Sequence, residues 1–121
     1  MKKKANYKIL HGDQKPHGLL TVTEYINKQK VSMITMGIVD YLPGSMTGKD
    51  TASHNGIEVL IMIEGSIEVQ IEDQKFSLSK GDYLEFDGLL PHRGWNPNKV
   101  KAKAVFLYLY SENNSYLKLV D

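Results

Sequence analysis

Cysteine is absent from the 121-residue sequence, which excludes disulfide bonds, thiolate catalysis and cysteine-rich zinc sites. Long hydrophobic runs are absent too. The longest aliphatic run, residues 59–63, falls far short of the roughly 20 residues that a membrane-spanning helix needs. The first residues also lack the apolar stretch of a signal peptide. We therefore expect a cytoplasmic protein that makes no contact with a membrane.

An excess of charge of either sign is also missing. Fifteen basic residues stand against fourteen acidic ones, and the net charge is +1. Proteins that bind nucleic acid directly usually carry a marked basic surface, so we expect no such binding here. A chain of this length builds one hydrophobic core, and residues 1–121 are therefore predicted to form a single domain.

What the sequence does contain is a series of short strand patterns separated by turn residues, with no convincing helical segment. Such spacing favours an all-β sandwich or barrel. One long polar interruption, residues 44–53, is predicted to be a loop. The strand candidates are residues 19–26, 31–42, 57–63, 66–72, 83–86 and 100–110.

Residues 53–72 predict two strands joined by a tight turn. β-Branched residues dominate positions 57–63, the run stops at Gly65, and residues 66–72 alternate strictly between apolar and polar. This pattern is typical of a β-hairpin with one half-buried arm. We therefore expect residues 66–72 to be the antiparallel partner of the preceding strand.

The first of these strands carries the first candidate site. His54 and Glu58 are four positions apart, so their side chains point to the same side of an extended chain. Leu60 and Met62 continue that face. The parity predicts a pocket in which a polar cluster adjoins an apolar wall, suited to a small ligand with a polar head.

A second segment, residues 81–96, supplies another polar group. His92 follows a proline bend and begins a short strand in which Asn96 shares its face. Arg93, the only arginine, and Trp95 have the opposite parity. We therefore predict that Arg93 and Trp95 face outward.

Together the two segments resemble the two motifs of the cupin superfamily, small RmlC-like barrels of the jelly-roll type. The resemblance covers roughly residues 35–110 and implies an all-β barrel with N- and C-terminal strand extensions. It is strongest to the small-molecule-sensing cupin domains that follow helix-turn-helix regions in bacterial transcription regulators, although this sequence shows no helix-turn-helix. The residues that carry the resemblance are Ala52, His54, Glu58, Gly65, Gly81, Asp82, Pro91, His92 and Asn96.

The resemblance also implies a metal site. In the family, two histidines and a glutamate of the first motif and a histidine of the second hold the metal ion. Three of these map to His54, Glu58 and His92, whereas the fourth position is Ala52. Two imidazoles and a carboxylate suit Fe(II), Mn(II), Ni(II) or Zn(II). The other interpretation is a metal-free pocket. The predicted pocket residues are His54, Glu58, His92, Leu60, Met62 and Asn96.

Two functions are compatible with these residues. One is a sensor-like cupin that binds a small molecule, and the other is a metal-dependent isomerase, lyase or dioxygenase acting on a small metabolite. No further catalytic base stands out beyond the cluster itself. We therefore favour binding over catalysis.

Three apolar segments predict self-association. Residues 6–10 and 115–120 have the composition of short edge strands, and sheet edges need covering. One face of residues 105–110 is more apolar than a single small barrel can bury. We therefore expect a homodimer.

Overall fold

The computed structural model describes residues 9–28, 32–52 and 56–111, and these residues form an all-β structure, as predicted. No helix within those ranges is long and apolar enough to cross a membrane. The ten strands are β1 (Asp13–His17), β2 (Leu20–Lys28), β3 (Ser32–Tyr41), β4 (Met46–Ala52), β5 (Ile57–Glu64), β6 (Ser66–Ile71), β7 (Gln74–Ser79), β8 (Tyr83–Asp87), β9 (His92–Trp95) and β10 (Ala102–Ser111).

The strands form two antiparallel sheets. The larger sheet has the order β1-β2-β3-β10-β5-β8, and the smaller one has the order β4-β9-β6-β7. β10 lies between β3 and β5, and pairs with both over most of its length. The central strands of the larger sheet therefore come from distant parts of the sequence.

The core lies between the two sheets and follows from alternation along the strands. In β5, Leu60 and Met62 are buried in the core cluster, and in β6 Ile67 and Val69 meet them from the other sheet. Side chains of one parity from each strand thus form a continuous apolar layer. The remaining members of the cluster are Leu20, Val39, Tyr41, Leu78, Ala102 and Ala104.

The turn predicted at Gly65 is present, but the hairpin is wrong. Gly65 adopts a positive φ of 69°, and a Cβ there would stand 2.7 Å from the carbonyl oxygen of Lys101. β5 belongs to the larger sheet and β6 to the smaller one, so the turn carries the chain between layers. Two strands that face one core from opposite layers show the same alternation as two neighbours in one sheet, so the pattern could not distinguish these cases.

The loop predicted for residues 44–53 is also wrong, because residues 46–52 form β4. This strand is polar and lacks alternation, and its pairing with β9 is irregular, with a register shift between Thr47 and Ala52. Tertiary pairing rather than local preference makes it a strand. Its consequence is that Ala52 lies directly opposite His92 in the ladder.

Candidate functional site

A cavity of about 260 Å³ lies between the two sheets. Most of its wall is apolar, and this volume is slightly below the roughly 300–1,000 Å³ common for ligand sites, so it suits only a small molecule. The larger sheet contributes Val22, Val39, Tyr41, Glu58, Leu60, Phe86 and Phe106, and the smaller sheet contributes Thr47, Val69, His92, Arg93 and Gly94.

A carboxylate and an imidazole from opposite sheets meet at this cavity. Glu58 shares the inner face of β5 with Leu60, and His92 is the first residue of β9. His92 Nε2 lies 3.7 Å from Glu58 Oε2, and the two side chains are 11% and 20% exposed. Two motifs that are far apart in the sequence are therefore brought together, as the parity arguments predict.

The His92 ring is held in one orientation by its neighbours. Its Nδ1 lies 2.8 Å from the carbonyl oxygen of Leu90, and the edge of the ring contacts Phe86 with centroids 4.7 Å apart. Because a carbonyl can only accept a hydrogen bond, Nδ1 carries the proton. Nε2 is then the ring nitrogen that faces the Glu58 carboxylate.

A second polar group at the cavity centres on Tyr41 and Thr47. Thr47 Oγ1 accepts a hydrogen bond from Gly94 N (2.8 Å) and donates one to Gly94 O (3.0 Å), so its side chain joins β4 to β9. The Tyr41 hydroxyl hydrogen-bonds to Thr47. Burial and then the negative charge of Glu58 raise the pKa of Tyr41 well above its ordinary value of 10.0, while the bond to Thr47 opposes them.

A groove adjoins the cavity along the inner face of the larger sheet and shares Glu58 and Phe106 with it. Tyr108 lies in this groove, and its pKa is raised by burial first and then by the negative charge of Glu58. Glu24 lies there as well, with Lys15 Nζ 3.3 Å from its Oε1. The charge of Glu58 therefore influences phenol groups on two different strands, β3 and β10.

The sequence-predicted pocket residues have different outcomes. Glu58, His92 and Leu60 line the cavity together. Met62 is buried in the core cluster, and it is not part of the cavity lining. His54 lies outside the described residues, so its place in the pocket stays a prediction.

Asn96 is likewise not part of the cavity lining and holds the backbone together. It is completely buried, and its Nδ2 donates to the carbonyl oxygens of Tyr41 and Val100, while its Oδ1 accepts from Asn98 N. Its side chain thus ties the end of β9 to the end of β3. Its inward parity suggested a pocket residue, but the inward side chain instead forms hydrogen bonds with buried main-chain groups.

The prediction for Arg93 and Trp95 agrees with the structure. Arg93 pairs with Gln70 in the β6–β9 ladder, and its Nε donates to Gln70 Oε1 at 3.2 Å. Its guanidinium lies 5.1 Å from the centre of the Trp95 ring. Arg93 borders the cavity between His92 and Gly94, but its charge is directed to the outer face.

Sequence reasoning missed Tyr41 and Thr47 as a cavity pair, and it missed the aromatic walls Phe86 and Phe106. Thr47 lies in the segment predicted to be a loop, and its partner Gly94 is 47 residues away. The sequence held one weak indication of the position of Phe106, namely the glycine at position 37, which pairs with it. A Cβ at Gly37 would stand 2.1 Å from Phe106 Cε1, so the missing side chain there makes room for the ring.

The two described donors suit a metal ion. Two ligands at about 2.1 Å from one metal stand roughly 3.0–3.6 Å apart for angles between 90° and 120°, close to the 3.7 Å between His92 Nε2 and Glu58 Oε2. Across residues 9–28, 32–52 and 56–111, no group of three His, Asp or Glu side chains is arranged to hold a metal. If the protein held a metal ion here, Glu58 and His92 would supply two ligands, and a third would have to come from elsewhere.

Known structures show the same architecture. The cupin domain of an XRE family transcriptional regulator from Enterobacter cloacae superposes with a TM-score of 0.68 at 19% identity, covering 77% of this chain and 98% of that chain. The cupin domain of Schizosaccharomyces pombe Cnp3 gives 0.70 at 13% identity, covering 95% and 98%. A mutant of Bacillus subtilis oxalate decarboxylase OxdC gives 0.76 at 17% identity, covering 96% of this chain and 32% of that chain.

At these identities the likeness shows the fold alone. No curated protein matches the sequence. The Cupin domain family, however, matches residues 37–108, which hold most of the strands that build the cavity. The chain therefore belongs to the cupin domain family.

Proposed function

We propose that this cupin binds a small metabolite between its two sheets and acts as a sensor-like module. The observation that carries the proposal is the Glu58–His92 pair at one side of an otherwise apolar cavity of about 260 Å³. A polar pair fixes the head of a ligand, and the apolar wall provides the area that binds its body. The site thus has the features of a binding pocket, and binding requires no additional catalytic group.

The structural likeness to the cupin domain of an XRE family regulator supports the sensor role. In this proposal the chain binds the metabolite itself and does not bind nucleic acid, so the signal reaches another protein or a second copy of the chain. Binding stabilises the folded state by mass action, which makes occupancy measurable as a rise in melting temperature.

A cavity-filling variant tests the proposal. Val69 is buried in the cavity wall, so Val69→Phe fills the space, whereas Val100→Phe places the same bulk at an exposed position. Both variants and the wild type are incubated with a metabolite extract, desalted and analysed by native mass spectrometry. We expect the wild type and Val100→Phe to retain the same small molecule and Val69→Phe to lose it.

Circular dichroism must show that Val69→Phe is folded. Retention of one compound by all three proteins would place the ligand elsewhere and contradict the proposal. Retention by none, with the extract replaced by extracts from several growth conditions, would contradict it as well.

A metal-dependent enzyme is the second candidate, and the orientation of His92 favours it. Glu58 and His92 would hold the metal, with His54 inferred from the sequence as the third ligand. Such an ion would act as a Lewis acid that polarises an oxygen of a bound molecule. The chain's own contribution is to keep His92 Nε2 directed toward Glu58 through the Leu90 carbonyl, and to exclude water with the rings of Phe86 and Phe106.

A further inference from the structure

The cavity and the adjoining groove lie one after the other along the inner face of β3. Val39 and Tyr41 line the cavity. Met33 and Thr35 line the groove, which has a volume of about 320 Å³. Residues of one parity share a face of a strand, so all four side chains belong to the same face. Gly37 is the position of that parity between the two pairs, and it carries no side chain.

The ring of Phe106 occupies the place that a side chain at position 37 would take. Phe106 is directly opposite Gly37 in the β3–β10 ladder. A Cβ at position 37 would overlap with Cε1 and Cζ of the ring, and the main-chain oxygen of Thr23 on β2 would be 2.8 Å from it. The far end of the ring therefore lies above β3 and close to β2, so the ring extends across the strands.

This position makes the Phe106 ring a partition. A ring that extends across the strands blocks the direction along them, which is the direction that leads from the groove to the cavity. Both spaces accordingly have Phe106 in their lining. The other shared residue, Glu58, is on β5, which β10 separates from β3. Its strand is therefore remote from the part of the sheet that the ring covers.

The neighbours of Phe106 determine the side to which its ring turns. Phe106 lies between Leu60 on β5 and Gly37 on β3. Leu60 is buried and fills the space on its own side, whereas the glycine leaves space on the other. The ring thus packs over Gly37, and its contact with the core cluster holds it there. The end of the cavity along β3 is consequently set by residues 37 and 106.

From this arrangement we infer that Phe106 determines the length of the ligand: the cavity accepts a compact molecule whose body ends against the ring, and the ligand does not extend into the groove. Gly37 is the positioning residue that gives the ring this place. The inference rests on the proposed function, because it assumes that the cavity is the binding site. It adds the size class of the ligand and requires no particular charge on it.

The test uses uncharged probes, the straight-chain alcohols from 1-butanol to 1-decanol, which differ only in length. Each is titrated into ¹⁵N-labelled protein and followed by NMR, with the Gly94 amide as the reporter for the cavity and the Thr35 amide for the groove. In the wild type we expect the affinity to rise about fourfold for each added methylene that the cavity can bury, and then to stop rising. Of the two amides, only that of Gly94 should shift.

Phe106→Leu removes the three outer ring atoms, including the two above Gly37, and keeps an apolar side chain. The cavity and the groove should then join. The rise in affinity should continue over roughly two further methylenes, about 15-fold in total, and the longer alcohols should shift both the Gly94 and the Thr35 amides. Phe106→Met, which is unbranched and has no ring, is the second variant. Circular dichroism shows whether each variant is folded.

Phe76→Leu is the matched control. Phe76 is a partly buried phenylalanine of the smaller sheet that packs against the core cluster, and it is not part of the described lining of the cavity or of the groove. This variant should leave the limiting length of the alcohols unchanged.

The outcomes distinguish the inference from the proposed function. If the limiting length is the same in the wild type and in the Phe106 variants, the inference is overturned while cavity binding stands. The wild type alone also tests it, because a long alcohol that shifts Thr35 with the affinity reported by Gly94 would show an open passage and overturn it. If no alcohol shifts the Gly94 amide, the inference is overturned, and Val69→Phe with the metabolite extract decides the proposed function independently.

Discussion

His92 is constrained on three sides, by the Leu90 carbonyl, the Phe86 ring and the Glu58 carboxylate. Such constraint fixes which nitrogen faces the cavity, and it reduces the entropy lost when that nitrogen binds a ligand. The ring is therefore prepared for either of two partners, a polar group of a ligand or a metal ion. A change at one neighbouring position can distinguish them.

Ala52→His should convert the site into a stronger metal site. Ala52 and His92 are directly opposite in the β4–β9 ladder, and position 52 corresponds to the fourth ligand position of the family motif. A histidine at position 52 is therefore expected to add an imidazole beside His92 and Glu58. Calorimetric titration with Zn²⁺ or Mn²⁺ should show a gain in affinity of about tenfold or more, the scale of one added ligand.

Ala52→His combined with His92→Ala is the control, and it should cancel the gain because one ligand replaces another. Unchanged metal affinity in the single variant would count against a metal-binding role. The small-molecule proposal would remain unaffected by that result.

Tyr41→Phe should alter stability at alkaline pH. The pKa of Tyr41 is raised in the folded protein, so the unfolded chain releases this proton near pH 10.0 while the folded chain keeps it. Above that pH the unfolded state binds fewer protons, and the free energy of unfolding falls as pH rises. One proton contributes a slope of about 1.4 kcal/mol per pH unit. Below pH 10 this contribution is fully present.

Urea denaturation between pH 9 and pH 11, in EDTA, measures this effect. We expect the alkaline decline to be shallower in Tyr41→Phe than in the wild type. Tyr83→Phe is the control, because Tyr83 is exposed and solvent weakens the hydrogen bond to Glu85 that raises its pKa, so this variant should change the alkaline decline less than Tyr41→Phe does. Equal slopes for the wild type and Tyr41→Phe would refute this account.

Among the elements, β4 is joined to its neighbour β9 partly by side-chain hydrogen bonds. Its ladder with β9 is irregular, and Thr47 supplies both hydrogen bonds to Gly94 that a regular ladder would take from main-chain groups. The threonine thereby closes one wall of the cavity. Its loss should separate β4 from β9 without disturbing the larger sheet.

Thr47→Val keeps the shape of the side chain and removes the hydroxyl. Both Gly94 main-chain groups then lose a partner, which should lower the free energy of unfolding by about 2 kcal/mol. Ser77→Ala removes an exposed hydroxyl that donates to Glu68 and should cost less than about 0.5 kcal/mol. Guanidinium denaturation compares them, and similar losses in both variants would show that Thr47 has no special role.

The sequence predicted the elements whose pattern is local. β3 and β6 fall within the predicted strands, and β5, β8 and β10 each end one residue later than predicted, because their alternation reflects one buried face. β1 was missed, since Asp13–His17 is polar and contains a proline, and it is a strand only because it pairs with β2 at the sheet edge. The sheet to which each strand belongs could not be predicted, because pairing over long sequence separations leaves no local signal.

The site residues divide in the same way, into those that a local pattern predicts and those that only long-range pairing brings to the cavity. Glu58, Leu60 and His92 were found because strand parity decides which side chains share a face. Tyr41 and Thr47 come from segments with no motif, and only the topology places them at the cavity. His54 remains a prediction.

At the scale of the whole molecule, exposed apolar side chains lie on the outer face of the larger sheet. We expect a second copy of the chain to pack against them. Ile34, Met36, Ile61 and Tyr83 lie on this face and are 37% to 58% exposed. Contiguous apolar area of this kind commonly marks an interface, and self-association buries it by symmetry. The terminal segments 6–10 and 115–120, which also entered the dimer prediction, extend beyond the described residues.

Ile61→Lys should convert the dimer to a monomer, because it places a charge in the centre of the apolar face. Analytical ultracentrifugation should give twice the mass of the chain for the wild type and the mass of one chain for the variant. Val100→Lys, at an exposed position elsewhere, should remain dimeric. A wild type that sediments as one chain at about 50 µM, ample for a stable homodimer, would refute the prediction.

The central position of β10 has a consequence for synthesis. β3 and β5 are complete long before residues 102–111 leave the ribosome, and both keep an unpaired edge until β10 is inserted between them. Exposed edges can pair with other chains, and contacts over such long sequence separations form slowly. A nascent chain that stalls before residue 102 is therefore expected to aggregate or to require a chaperone, whereas a chain released beyond residue 111 can close the sheet.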